Sequence, residues 1–388
     1  MPLPLSYNVR NVLQRPVSTL TTAVGVGLTI AIFIGALSLA AGFRAALVRT
    51  GSPDNVIVLR KGADSEISSG ISRQTAAILH AYGEVATDAQ GRPLVSPEVV
   101  VVNNRARVGQ PGNSNVTVRG IDHEAVALRR GVQVVEGRWF EPGAAEVVVG
   151  RRISNRFEGC RLGDRLRFGQ RDFTVVGLIT ANGAGFESEI WGDNEVLMPV
   201  FRGEVFQSVT FRMRDPARFD AIRQDLENDP RLGVDVQRES EFYAKQSETL
   251  ANLIRILGGF ITVIMGVGAI FGAMNTMFAA VGARGREIAM LLVLGFSPFS
   301  ILVSFVIESV ILSLFGGVIG CLMALPLNSI VTSTTNFSSF SELAFGFRVT
   351  PGILLTGLAV AALMGLVGGF LPALKASRQP LAAGLRGA

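Results

Sequence analysis

The fold is decided by one long apolar stretch in the second half of the chain. Residues Leu250 to Val281 read LANLIRILGGFITVIMGVGAIFGAMNTMFAAV, with Arg255 as the only charged side chain. Three further apolar runs lie at Val17 to Ala41, Pro298 to Leu325 and Pro351 to Leu371. Each run reaches the ~20 residues that a helix needs to cross a hydrocarbon core about 30 Å thick. The sequence therefore predicts a membrane protein with four transmembrane helices.

The charged residues predict which side of the membrane each segment faces. The region from Arg44 to Glu248 has 27 basic and 28 acidic residues, a net charge of −1, whereas the rest has 9 basic and 3 acidic residues, a net charge of +6. Basic residues in short loops favour the cytoplasmic side. They lie before the first run, between the second and third, and after the fourth, at Arg10, Arg15, Arg284, Arg286, Lys375, Arg378 and Arg386, while the loop between the third and fourth runs has only Arg348. Both termini are therefore predicted to be cytoplasmic, and the overall charge of +5 does not indicate nucleic acid binding.

These assignments give the chain nine segments. They are a cytoplasmic N-terminal segment (1–16), transmembrane helix 1 (17–41), an extracytoplasmic domain (42–249), transmembrane helix 2 with a stalk extension (250–281), a cytoplasmic loop (282–297), transmembrane helix 3 (298–325), an extracytoplasmic loop (326–350), transmembrane helix 4 (351–371) and a cytoplasmic tail (372–388). The first run could instead be a cleaved signal peptide. Its apolar stretch of about 25 residues exceeds the ~7–15 of a signal peptide, which favours a retained helix.

The extracytoplasmic region has the local patterns of an α+β domain. Short β-branched or aromatic runs bounded by turn residues predict strands at 56–59, 99–102, 116–118, 146–149, 173–179 and 209–213. Amphipathic helices are predicted after Ser72 and after Asp215. From Glu239 to Ala251 a polar stretch without Gly or Pro leads into the second apolar run. It predicts one continuous helix from the domain into the membrane.

Composition argues against catalysis in this chain. Cys160 and Cys321 fall in different regions, so no disulfide framework is predicted. His80 and His123 lack the ligand partners of a zinc site. None of the three lysines lies in the G-x-x-x-x-G-K-[ST] loop that binds nucleotide phosphates. We predict no catalytic residue, no metal site and no cofactor, so that ATP-driven work requires a separate ATPase.

The apolar runs contain small and polar residues in distinct places. Small residues allow helices to approach closely in lipid. The helices that approach could belong to this chain, which we favour, or to two chains at a dimer interface. Asn275 and Glu308 are polar exceptions inside the runs, and an intramembrane carboxylate tends to face the protein interior or a cavity. For Glu308 we favour a structural role, neutral or bonded to Ser304 or another helix, over a proton or substrate role. The glycines form pairs four residues apart: Gly268 and Gly272, Gly316 and Gly320, and Gly365 and Gly369.

The loop between the second and third runs is predicted to form a short amphipathic helix. From Arg284 to Gly295 it reads RGREIAMLLVLG. Such a helix could lie among lipid headgroups or be the contact through which an ATPase pushes on the membrane helices. Its apolar face comprises Ile288, Leu291, Leu292 and Gly295, and its entry carries Arg284, Arg286 and Glu287.

Several segments together resemble MacB/FtsX-type ABC transporter permeases, the group of macrolide-exporter, lipoprotein-release and DevC-like permeases. The segment from Met274 to Ser297, MNTMFAAVGARGREIAMLLVLGFS, is similar to the conserved module of that family. The ending LPALKASR at 371–378, followed by Pro380 and Leu385, and the N-terminal segment from Asn8 to Gly42 are also similar. The order of one span, a large domain and three spans matches too, so the resemblance covers essentially the whole chain.

The resemblance implies an assembly and a mechanism. It implies a permease in the bacterial cytoplasmic (inner) membrane, in contact with membrane lipids and paired as a homodimer or with a paralogous permease. ABC ATPase subunits would hold ATP and Mg²⁺, and the loop helix from Arg286 to Leu294 would couple them to the external domain through the second-span helix. That domain would comprise a porter-like subdomain and an inserted β-rich subdomain at about 105–199. Where many relatives have a basic residue, this chain has Leu292-Val293, which implies a more apolar contact with the ATPase.

The implied function is export or extraction of a periplasmic or outer-leaflet substrate, whether lipid, lipoprotein, peptide or drug, with a periplasmic adaptor protein as a further potential partner. The alternative is an FtsX-like regulator of a periplasmic cell-wall hydrolase that transports nothing, and the size of the external domain favours transport. The Gly-rich stretch from Ala181 to Gly192 has the composition of a mobile loop and is the candidate for a contact with substrate or partner, through Phe186, Ile190 and Trp191. For most of the large apolar residues of this region, core packing is the role that we favour.

Overall fold

The structure is a computed structural model that describes residues 16–129, 131–201 and 203–379. The sequence-based predictions for Arg10, Arg15, Pro380, Leu385 and Arg386 lie outside these residues. Contacts between Cα atoms divide the chain into two units. Among the described residues, a helical unit comprises 16–41, 252–330 and 347–379, and a sheet unit comprises those within 42–251 and 331–346.

The described residues form eight helices and twelve strands, besides short 3-10 helices. In chain order they are α1 (Pro16–Val48), β1 (Asn55–Arg60), α2 (Arg73–His80), β2 (Val95–Ala106), β3 (Asn113–Ile121), β4 (Gln133–Gly137), β5 (Glu146–Gly150), β6 (Arg165–Phe168), β7 (Arg171–Thr180), β8 (Glu189–Asp193), α3 (Asn194–Val200), β9 (Ser208–Arg212), α4 (Phe219–Asn228), β10 (Val234–Arg238), α5 (Glu239–Ala283), α6 (Gly285–Val293), α7 (Pro298–Ala324), β11 (Val331–Thr335), β12 (Glu342–Gly346) and α8 (Pro351–Ser377). Short 3-10 helices lie at His123–Leu128, Gly185–Ser188, Pro216–Arg218 and Leu325–Ser329.

Four helices of the described chain, α1, α5, α7 and α8, are long and apolar enough to cross a membrane. The helix α5 has 45 residues without interruption, which corresponds to about 68 Å at 1.5 Å per residue. The predicted continuous helix from Glu239 into the second apolar run is therefore present. Its first residues belong to the sheet unit and the remainder to the helical unit.

Close packing of α7 on α1 and α8 depends on glycine. A Cβ atom on Gly316 would lie 2.6 Å from the carbonyl oxygen of Ala23, and one on Gly320 would lie 2.6 Å from that of Gly27. On the other side of α7, the Ser309 hydroxyl donates a hydrogen bond of 2.8 Å to the carbonyl oxygen of Gly365. Backbones that approach this closely leave no room for a side chain at these positions.

We expect Gly320→Ala to lower the apparent melting temperature of the purified protein, because the new methyl group would push α7 away from the α1 backbone at a cost of about 1–3 kcal/mol. The matched control is Gly272→Ala on α5, where an added Cβ meets nothing within 4 Å and alanine favours the helix. Thermal unfolding in detergent measures both variants. Equal melting temperatures for the two variants would contradict this account of α7 packing.

The sheet unit is built on one mixed sheet with the strand order β10-β1-β9-β2-β3-β8-β5-β7-β4, and β6 pairs with β7. One hydrophobic core is formed by residues between 56 and 99 and between 198 and 236, including α2 and α4. A second core is formed by residues between 116 and 197. The second core lies within the predicted insertion at about 105–199. One continuous sheet contributes strands to both cores. The division into two subdomains therefore stays an interpretation.

The segment 326–350, predicted as a loop, contains the hairpin β11–β12, and its residues 331–346 belong to the sheet unit. Its Glu342 forms ion pairs with Arg107 and, at 2.9 Å, with Arg156. The backbone N–H of Ala344 donates to the Ser188 hydroxyl at 2.9 Å. The strand VTSTT shows no apolar alternation, and its partners are more than 150 residues away in the sequence. Local patterns therefore could not reveal this hairpin.

Candidate functional site

The short helix α6 follows α5 after a single residue, Arg284, and its end is fixed by Gly295. Gly295 has φ of +92°, a conformation that favours glycine. The N–H of Phe296 donates to the carbonyl of Leu291 and the N–H of Gly295 to that of Leu292, both at 3.1 Å. These two bonds form a Schellman motif, which ends helices. Ser297 then caps α7 by accepting from the N–H of Ser300 at 3.2 Å.

One face of α6 packs inward against the ends of three transmembrane helices. Ile288 and Ala289 are buried, and Leu291 and Leu292 are partly buried. The residues they pack with come from α5, α7 and α8, namely Met277, Val281, Ile301, Phe305, Ala373 and Ala376. The apolar periodicity of the loop therefore serves to anchor α6 to the helical unit.

The opposite face of α6 is apolar as well, and it is exposed. Met290 is 61% exposed, Val293 63% and Leu294 69%. Arg286 and Glu287 are exposed at the start of the same face. We call these five residues the outer face of α6. An exposed apolar surface with a polar rim is typical of a site that contacts another protein or a membrane.

A buried ion pair connects the start of α6 to the middle of α7. The Arg284 guanidinium donates to both carboxylate oxygens of Glu308, at 3.0 and 3.2 Å. Arg284 is 6% exposed and Glu308 5% exposed. Each charge offsets the desolvation penalty that the other would have if it were buried alone. The pair also fixes the point at which the chain leaves α5 and turns into α6.

The predicted ATPase contact residues thus separate into two groups. Arg286 and Glu287 lie on the outer face of α6. For the others, a part in coupling stays a prediction: Ile288 is buried, Leu291 and Leu292 are partly buried, Gly295 ends the helix and Arg284 pairs with Glu308. Periodicity identifies an apolar face but not the element that covers it. Met290, Val293 and Leu294, which the sequence analysis missed, take the outward positions.

The sheet unit contains a buried charge cluster of two arginines and four glutamates. Arg119 donates to Glu66 at 2.8 Å, to Glu98 at 2.6 Å and to Glu189 at 2.8 Å. Arg129 forms ion pairs with Glu98 and with Glu239, the first residue of α5. Burial would raise the pKa of Glu66, but the charge of Arg119 and hydrogen bonds from Arg119 and Ser208 hold that pKa below its ordinary value.

Glu239 joins the start of α5 to the rest of the sheet unit. One of its carboxylate oxygens accepts from the Asn55 side-chain amide and from the N–H of Ser52, both at 2.9 Å. Glu239 itself is fully buried. The first turn of α5 is therefore held by β1, by the segment before it and by Arg129.

Two family models together cover most of the chain. Residues 19–229 match the MacB-like periplasmic core domain, and residues 259–381 match the FtsX-like permease C-terminal model. The chain belongs to the MacB/FtsX family of ABC transporter permeases. The family resemblance noted in the sequence is thereby confirmed, together with transmembrane helices and a MacB-like domain between the first and second of them.

The permease is similar to exporters whose names contain both ATP-binding and permease. It is 29% identical over 266 residues to the pyoverdine export ATP-binding/permease protein PvdT of Pseudomonas entomophila, covering 63% of this chain and 39% of that protein. It is 23% identical over 389 residues to the macrolide export ATP-binding/permease protein MacB of Bdellovibrio bacteriovorus, covering 92% of this chain and 57% of that protein. The chain spans about half the length of the curated relatives it matches.

The likeness to solved structures is weak. The periplasmic region of MacB from Actinobacillus actinomycetemcomitans has a TM-score of 0.38 at 13% identity and covers 52% of this chain and 96% of that chain. The extracellular domain of the transporter YknZ has a TM-score of 0.36 at 14% identity and covers 47% of this chain and 99% of that chain. Membership of the permease in the family therefore rests on the family models.

The predicted substrate contact of the permease is not exposed. Phe186 is 2% exposed, and Ile190 and Trp191 are fully buried. The stretch from Ala181 to Gly192 contains a 3-10 helix and strand β8, so the prediction of a mobile contact loop was wrong. The ring of Phe186 lies against two arginines of the buried charge cluster, 5.5 Å from Arg119 and 4.8 Å from Arg129. Core packing, the favoured role, is the one that these side chains have.

Three predicted intramembrane residues of α5 lie on a surface that no other described segment of the permease covers. Gly268 and Gly272 are exposed, and an added Cβ at either would meet nothing within 4 Å. Asn275 is exposed on the same helix. The favoured role of this glycine pair in packing within the chain was therefore wrong. The glycine pairs of α7 and α8 do meet neighbours, since Gly365 and Gly369 both face Ser309.

Proposed function

We propose that this permease works by mechanotransmission, in which ATP hydrolysis by an ABC ATPase moves the sheet unit through α5. The observation that carries the proposal is the continuity of α5 together with the way each end is held. At its start, Glu239 is bound by Arg129 and Asn55 within the sheet unit. Near its other end, Met277 and Val281 pack with α6 in the helical unit. An unbroken helix held at both ends transmits displacement better than a flexible linker does.

The outer face of α6 is the surface that we propose contacts the ATPase. Its Met290, Val293 and Leu294 are apolar and strongly exposed, and Arg286 and Glu287 supply a polar rim. This agrees with the absence of a basic residue at Leu292-Val293, which favours an apolar contact. The ATP and Mg²⁺ would be held by the ATPase, and the loop that carries α6 would face the cytoplasm.

The substrate class follows from relatives and remains part of the proposal. PvdT and MacB are named for export of pyoverdine and of macrolides. We propose export or extraction of a periplasmic or outer-leaflet molecule, with the sheet unit outside the cytoplasmic membrane and two permease subunits in the assembly. Copurification of a cell-wall hydrolase instead of a substrate or adaptor protein would favour the regulatory alternative.

The outer face can be tested with the double variant Met290→Glu/Leu294→Glu. We expect its affinity for the ATPase to fall at least tenfold, because central apolar contacts typically contribute about 2 kcal/mol or more to binding and two carboxylates would be buried without partners. The conservative control is Met290→Leu/Leu294→Met, which keeps the surface apolar. Binding is measured by titrating the ATPase onto permease in nanodiscs, and stimulated ATP turnover is measured alongside.

Two results would contradict the proposed contact. Wild-type affinity in the double glutamate variant would show that the ATPase binds elsewhere. Equal losses in the glutamate variant and in the conservative control would point to a change in the fold of α6 instead of its surface. A melting temperature measured for each variant separates the second case from a true loss of contact.

A further inference from the structure

A groove with two cations on its edge opens between the ends of α5 and α8. Its cavity volume is about 430 Å³, within the range of roughly 300–1,000 Å³ that is usual for ligand sites. The wall is apolar and includes Phe278 and Val281 of α5 and Leu371 and Leu374 of α8. Lys375 and Arg378 also line it. None of the residues that line the groove is acidic.

The two cations lie where a membrane surface is expected. Lys375 is in the last turn of α8, a helix long and apolar enough to span the membrane, and Arg378 caps its end. Both side chains are exposed, and within 16–129, 131–201 and 203–379 neither forms an ion pair. The Lys375 ammonium lies 5.4 Å from the centre of the Phe278 ring, so it is held above the apolar wall.

We propose that this groove binds an anionic phospholipid, with its phosphate at Lys375 and Arg378 and an acyl chain along Phe278 and Leu371. Basic residues beside a transmembrane helix attract anionic lipid headgroups, and basic pockets between such helices bind them. An apolar wall next to paired cations complements a molecule that is amphipathic and negatively charged. Soluble anions would match the cations only. The inference goes beyond the proposed function, because it concerns a lipid that stays bound to the permease.

The proposal is tested by native mass spectrometry of the full permease complex titrated with phosphatidylglycerol or phosphatidylcholine. We expect phosphatidylglycerol to bind more tightly than phosphatidylcholine. We expect Lys375→Gln/Arg378→Gln to weaken phosphatidylglycerol binding about 25-fold, with roughly fivefold from each charge. Arg348→Gln is the matched control, since Arg348 is an exposed cation just before α8, and it should leave the affinity unchanged.

A second measurement locates the lipid without removing the cations. Phe278→Trp places a fluorophore in the groove, and brominated phosphatidylglycerol should quench it more than brominated phosphatidylcholine does. The native tryptophans, Trp139 and Trp191, lie in the sheet unit and give the background. Inorganic phosphate at millimolar concentration should not restore the fluorescence.

Several outcomes would overturn the proposal. It is wrong if the double glutamine variant binds phosphatidylglycerol as the wild type does, or if the two lipids bind equally. Displacement by inorganic phosphate would identify a simple anion site. Absence of quenching at Phe278→Trp would mean that a second copy of the chain or another protein covers the groove.

Discussion

Replacing Glu308 by glutamine should uncouple ATP turnover from the permease and lower its apparent melting temperature. The variant leaves the Arg284 guanidinium buried at 6% exposure without its counter-charge. Removing one partner of a buried pair typically costs about 3–5 kcal/mol. Arg284 is the residue between α5 and α6, so we expect α6 to lose its fixed position. Substrate-stimulated ATP turnover in nanodiscs and thermal unfolding measure the two effects.

Two control variants separate the ion pair from other roles of Glu308. Arg284→Met/Glu308→Met removes both charges and should recover most of the stability, because apolar replacements of a whole buried pair are often neutral or stabilising. Glu287→Gln, at an exposed position of α6, should change the melting temperature little, since surface substitutions usually stay within about 0.5 kcal/mol. Wild-type stability and turnover in Glu308→Gln would show that the pair does not hold α6.

Recovery of stability in the methionine pair without recovery of turnover would have a separate meaning. It would indicate that a charge of the Arg284–Glu308 pair is needed during the cycle, which agrees with the second alternative for Glu308, a proton or substrate role. Recovery of both would support a structural role. The two results together therefore decide between the alternatives left open for this intramembrane carboxylate.

The membrane helices could be predicted from the sequence because a run of about twenty apolar residues is long enough, as a helix, to cross the hydrocarbon core of a bilayer. The sequence also predicted the continuity of α5, since the stretch from Glu239 to Ala251 lacks helix breakers. It did not predict which face of α6 points outward, because both faces carry large apolar residues. The bond between Arg284 and Glu308 joins residues 24 positions apart, and only the packing of α5 against α7 brings them together.

The buried charge cluster was missed for a related reason. Its six members are spread from Glu66 to Glu239, on strands and loops that meet only in the folded sheet. Each charged residue by itself indicates a surface position, because arginine and glutamate are rarely buried unless paired. A pairing of charges across such distances has no local signature in one sequence.

Replacing Arg119 by methionine should unfold the sheet unit under conditions in which the wild type is stable. Arg119 is 1% exposed and is the shared partner of Glu66, Glu98 and Glu189. Methionine fills part of the volume but leaves these carboxylates close together with less positive charge between them. A loss of about 3–5 kcal/mol is expected from one broken buried pair, and here one side chain serves three.

Intrinsic fluorescence reports this unfolding directly. The chain has two tryptophans, both in the sheet unit, and the indole N–H of Trp191 donates to Glu189 at 2.7 Å. Denaturant titration of the full protein should therefore show a lower midpoint for Arg119→Met at the tryptophan emission. The matched control is Arg73→Met, which removes an ion pair with Glu195 in which both side chains are more than half exposed and which is worth about 0–1 kcal/mol. Equal midpoints for the two variants would mean that the ion pairs of Arg119 add no more to stability than a surface pair does.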